Sequence, residues 1–200
     1  MESKNYGIGK GLALPAVLVA ALALLPLLGA PRSWVLYIFL FFIYLAMSNM
    51  WNLLAGYAGL ISLCQPAFLG LAGYTLAIST WVGMPWWLGL IAGAGVAGIF
   101  ALLISTAVFR LSGIYFAIGT LVVPEALRIF FYLWRPVGGD MVGGGAGYMI
   151  KGIGNISMNH IYWYALIVGV GSIGLMHAIL RSNLGLGLTA IRDNQNAAAS

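Results

Sequence analysis

Glu125 and Arg128 stand three residues apart inside an apolar run, a spacing that puts both on one helix face, where carboxylate and guanidinium can pair. A charge at the centre of a membrane span costs about 2.5–3.5 kcal/mol, so such residues pair and face a bundle interior or a polar cavity. Two readings stay open: an ion pair that locks helices together, and a pair beside a polar pathway. Pro124 supports the second, because it has no N–H and releases the carbonyl of Thr120 four residues earlier. Pro66 is expected to do the same to the carbonyl of Ser62, with the Gln65 amide at similar depth. Spans interrupted by proline beside polar residues are a pointer to a transport site. Ser62, Gln65, Thr120, Glu125 and Arg128 are therefore the candidate pathway residues. Catalytic patterns are missing: there is no paired-carboxylate arrangement, no Cys/His ligand spacing and no phosphate-cradling glycine loop. His160 and His177 stand alone, and the single cysteine, Cys64, reads as a small buried apolar residue. No enzyme is read from the chain, and no metal site.

The elements that must position these groups follow from composition. Of 200 residues, 62% are hydrophobic and 6% charged, with a mean hydropathy of +1.00. A water-soluble enzyme and a disordered tail are excluded, since a wetted surface needs far more charge. The net charge of +5 is spread over single, separated basic residues, so no patch exists to follow a nucleic-acid backbone. The runs Leu12 to Leu28, Trp34 to Met50 and Trp86 to Phe109 are apolar on every face rather than alternating, which selects helices over barrel strands. The expected fold is all-α, a polytopic transmembrane helical bundle of about six spans, at 12–30, 34–54, 60–81, 86–109, 113–134 and 161–180, forming one domain over 1–200. Two polar segments remain, 135–159 outside the membrane and 181–200 in the cytoplasm. Six spans place the N-terminus in the cytoplasm with Lys4, Lys10, Arg110, Arg181 and Arg192, and leave Arg32, Arg135 and Lys151 outside, the sign expected of cytoplasmic ends. Small residues at Gly56, Gly59, Gly70, Gly73, Gly89, Gly93 and Gly95 let helices approach closely.

The last segment patterns as a short amphipathic helix, with Leu184, Leu188 and Ile191 on one face, suited to a partner's groove or a lipid surface. From Ile191 to Ser200 there is no helix stop signal, so the chain is expected to be the N-terminal part of a longer protein, truncated at its C-terminus.

Three stretches carry a family resemblance. NLLAGYAG at Asn52 to Gly59 with Ser62, Ala67, Phe68, Gly70, Gly73 and Tyr74 is one; LSGIYFAI at Leu111 to Ile118 with Thr120, Leu121, Glu125 and Arg128 is the second; Arg181, Ser182, Gly185 and AIRD at Ala190 to Asp193 is the third. Together and in this order they resemble the branched-chain amino-acid ABC importer permeases. The resemblance implies a permease subunit for a small polar solute, branched-chain or other amino acids, with urea and short-chain amide importers as related alternatives. A passive small-solute channel is the alternative from another class. The implied partners are a second permease subunit, cytoplasmic ATP-binding subunits and an extracytoplasmic solute-binding protein, in the cytoplasmic (inner) membrane of a prokaryote. No cofactor is expected in this chain, ATP and magnesium belonging to the partner ATPases. The terminal segment with Gly185, Ala190, Ile191, Arg192 and Asp193 is implied to be the part an ATPase receives.

Overall fold

The computed structural model describes residues 8–138, 143–144, 147–152, 154 and 156–193. Lys4, part of the glycine-rich run at 142–148 and the terminal residues 194–200 lie outside the described residues, as do the side chains of Lys10 and Asp193. Among the described residues there are seven α-helices: α1 Ile8–Leu24, α2 Arg32–Asn52, α3 Gln65–Trp81, α4 Trp86–Val108, α5 Ile114–Leu133, α6 Met158–Arg181 and α7 Asn183–Asp193, with a π-helical turn, Leu53–Tyr57, continuing α2. No strand occurs among the described residues.

Among the described residues four helices are long and apolar enough to cross a membrane: Arg32–Tyr57, Trp86–Val108, Ile114–Leu133 and Met158–Arg181. The other two expected spans are shorter than the apolar runs suggested. The first, expected to reach residue 30, ends at Leu24; Pro26 disfavours helical backbone at Leu25 just before it. The third, expected from residue 60, begins only at Gln65. Each of these helices has 17 residues, at the lower edge of what crosses a hydrocarbon core.

Contacts divide the chain into two compact units, Met1–Met50 with Ile156–Ile179, and Trp51–Asn155 with Leu180–Ser200. In the first unit, Val35 and Phe42 of α2 pack with Tyr162, Ala165 and Leu166 of α6, and Val19 and Leu22 of α1 close over them. Phe42 and Tyr162 meet edge to face, 5.9 Å between centroids. Tyr162 is wholly buried, yet its hydroxyl donates to the Leu22 carbonyl at 2.7 Å, and Trp163 Nε1 donates to the Ala23 carbonyl at 3.1 Å. These carbonyls lie in the last turn of α1, where the helical ladder runs out; Leu22 also accepts from Leu25 N at 3.3 Å. Asn49 Nδ2 donates to Ser172 Oγ at 3.0 Å.

In the second unit α3 packs chiefly on α4, and α5 packs on both. Buried Gly89 and Gly93 make the α3–α4 approach possible. A Cβ at Gly93 would stand 2.7 Å from the Ala72 carbonyl oxygen, and one at Gly89 would collide with Ser79 Oγ. Of the other glycines expected to serve packing, Gly70, Gly73 and Gly95 face open space within 4 Å. Gly93→Ala should therefore loosen the α3–α4 seam at a cost of about 1–3 kcal/mol, whereas Gly95→Ala should not. Melting temperatures of the two variants in detergent, side by side, test this.

Candidate functional site

The backbone between the π-turn and α3 is irregular. Gly59 holds φ at +70°, a region closed to most side chains, and the chain regains helical form only at Gln65. Pro66 consequently occupies the first turn of α3, where its missing N–H costs nothing. It does not interrupt a span, as the sequence reading expected. The Ser62 carbonyl nevertheless finds an outside donor, Trp51 Nε1, at 3.0 Å. Leu60 N donates to the Leu54 carbonyl at 3.0 Å, and Cys64 N donates to Ser62 Oγ at 3.4 Å. The long-range tie is Leu63 N, which donates to Thr120 Oγ1 of α5 at 3.1 Å. Thr120 is 2% exposed, and its hydroxyl proton goes to the Ala117 carbonyl at 2.9 Å, so its oxygen has lone pairs left for Leu63. Thr120 follows Ile114 by six residues, ~9 Å along the axis of α5, which places the irregular strand of chain well inside the helix ends.

Glu125 and Arg128 do pair as the spacing predicts. Arg128 Nη2 donates to Glu125 Oε1 at 2.7 Å, and Arg128 Nε lies 3.0 Å from Oε2 and 3.1 Å from Oε1. The pair is open, with side chains 56% exposed for Glu125 and 76% for Arg128. It borders a groove of about 610 Å³ between α3 and α5, lined also by Pro66, Ala67, Gly70, Pro124 and Leu127. Toward the far ends of these helices the groove meets an aromatic wall. Tyr74 stacks on Phe131 with centroids 4.2 Å apart, and Tyr74 OH donates to the Gly144 carbonyl at 3.3 Å. Tyr148 stands edge-on to both Tyr74 and Trp81, and its hydroxyl donates to the Val137 carbonyl at 2.9 Å. Trp81 Nε1 donates to the Met149 carbonyl at 2.8 Å, and Lys151 Nζ lies 3.4 Å above the Trp81 ring. The segment after α5 is thus tied to the end of α3.

The five candidate pathway residues do not converge. Ser62 and Thr120 border a separate, mostly apolar cavity of about 360 Å³ with Cys64, Phe68, Phe109 and Phe116. Gln65, half-buried at the start of α3, borders neither space. The reason is rotational: Thr120 and Glu125 are five residues apart, roughly 140° around α5, whereas Glu125 and Arg128 are roughly 60° apart. Sequence reasoning missed Phe131, although 125, 128 and 131 continue one three-residue row along the helix.

Beyond α6 the terminal segment is helical, as its periodicity predicts. The expected stripe is covered only in part. Gly185 is buried against the Leu180 backbone, Leu188 and Ile191 are half-buried, and Leu184, like Leu186 and Ala190, is exposed. The helix packs against the π-turn.

Four helices of spanning length and composition among the described residues mark a multi-pass membrane protein. Residues 33–200 match the family described as branched-chain amino acid transport system, permease component, and the chain belongs to that family. It is a transport permease component and not an enzyme. No match is found among curated proteins or solved structures.

Thr120→Val keeps the shape of the side chain and removes the acceptor of Leu63 N, so it should cost about 1–3 kcal/mol of local protection. Hydrogen exchange at the Leu63 amide should quicken while that at Leu60, bonded to Leu54, stays unchanged.

Proposed function

We propose that the chain is one permease subunit of an ATP-binding-cassette importer that carries a small polar solute, a branched-chain or other amino acid, across the cytoplasmic membrane of a prokaryote. The observation that carries this reading is the exposed Glu125–Arg128 pair on a helix of spanning length. Left against lipid, both charges would be expensive. Facing a water-filled route completed by a second permease subunit, they keep partners and solvent. In this reading the α3–α5 groove is one wall of the route, and α1 and α3 join the four longer helices to give six spans with the N-terminus in the cytoplasm.

α7 supports the coupling part of the proposal. A short helix after the last span that turns Leu184, Leu186 and Ala190 outward has the shape of a segment seated in a partner's cleft. The partner is a cytoplasmic ATP-binding subunit, which brings ATP and magnesium, while an extracytoplasmic solute-binding protein delivers the solute. This chain needs no cofactor of its own. Transport then proceeds by alternating access, closure of the ATPases moving α7 and the helices behind it.

Vesicles holding the whole complex test the proposal. Uptake should require ATP, and flux that persists without it would overturn the importer reading in favour of a channel. Glu125→Gln should lower uptake about tenfold, since it leaves Arg128 without its counter-charge beside the solute.

A further inference from the structure

We propose that Gly59 and Arg192 are positioning residues that join α7 to the groove helices: the aliphatic stem of Arg192, seated on Gly59, holds the π-turn and the irregular segment behind it in place against Thr120. The proposal rests on the ATP-driven permease reading. A Cβ built on Gly59 would stand 3.0 Å from Arg192 Cγ, 3.6 Å from its Cβ and 3.7 Å from its Cα, so a larger residue there presses on the Arg192 stem and displaces it by a few tenths of an ångström. The next link is covalent and short. Leu60, adjacent to Gly59, donates to Leu54 inside the π-turn at 3.0 Å, and Leu63, three residues on, donates to Thr120 Oγ1 at 3.1 Å. Every step from α7 to α5 lies within one compact unit.

The π-turn makes this more than a packing contact. A π-turn carries one residue more than the α-turn it replaces, and single π-turns inside α-helices are frequent at functional sites. Converting it to α-form would shift the following chain by about one residue, roughly 1.5 Å of rise and 100° of rotation. The side chain of Asn52, the last residue of α2, fills the space that a Cβ on Gly56 would take, so the turn is closed on the residue just before it. Two discrete arrangements of one element are what a push on α7 needs in order to be felt at α5. The contact with Gly59 is made by Cα, Cβ and Cγ of Arg192, so it is the aliphatic stem that a charge-removing, stem-keeping substitution leaves in place.

The test uses the complete complex in vesicles, with solute uptake and phosphate release followed together. Arg192→Ala should lower the solute moved per ATP hydrolysed about fivefold while hydrolysis continues, and Arg192→Met, which keeps Cβ and Cγ, should retain the ratio. An equal loss in both variants would assign the effect to the charge and overturn the proposal, as would an unchanged ratio in Arg192→Ala. Gly59→Ala must lower the ratio too, and an unchanged ratio there refutes the proposal even where Arg192→Ala fails to assemble. ATP-independent uptake by the unsubstituted complex would instead refute the importer reading beneath it.

Discussion

A backbone amide or carbonyl away from water has to find a partner, and in lipid each failure costs several kcal/mol. The described α-helices meet this demand along most of their length by their own ladders, which leaves the break between α2 and α3 as the place where the rest of the structure must answer. Trp51, Thr120, Ser62 and the π-turn answer it, each with one hydrogen bond to the interruption. The placement of α5 follows from this, because its Thr120 hydroxyl must reach Leu63. Once α5 is held at that rotation, Glu125 and Arg128 are carried round to the α3 side and open onto the groove. The buried hydroxyl and the exposed ion pair are two consequences of one helix orientation.

What could be read directly from the residues was what is local or repetitive. Apolar runs marked the spans from Trp86 and Ile114 almost to the residue, and a three-residue spacing was enough for the Glu125–Arg128 pair. Grouping Thr120 with Glu125 failed because depth along a helix was considered without angle around it. Pro66 was misjudged because its meaning depends on where the helix begins, and that is decided by Gly59 and by the partners of the intervening backbone. The burial along α7 is set by the surface it meets: the stripe of Leu184, Leu188 and Ile191 is a fair pattern, but only Leu188 and Ile191 are covered, while Leu184 in the first turn stays exposed. Bonds such as Trp51 to Ser62 or Tyr162 to Leu22 left no trace in any spacing, since each joins side chains to carbonyls that every residue has.

The two spaces flanking α5 differ in chemistry as well as position. On one side the lining is aliphatic and aromatic around Cys64 and Thr120; on the other an acid and a base stand above small residues and a stacked tyrosine–phenylalanine wall. α5 thus carries opposite characters on its two sides, apolar toward α4 and the π-turn and charged toward α3.

The bonds that finish α1 have a consequence for how the chain is made. Leu22 and Tyr162 are 140 positions apart, and at roughly 5–20 residues added per second the donor emerges about 7–28 s after the acceptor. Throughout that interval the first unit lacks its third helix, and the end carbonyls of α1 have no aromatic donor. Until α6 arrives Leu22 keeps its bond from Leu25 N, while the Ala23 carbonyl is left to the insertion machinery, lipid headgroups or water at the bilayer edge, so the first helix to be synthesised is among the last to be completed.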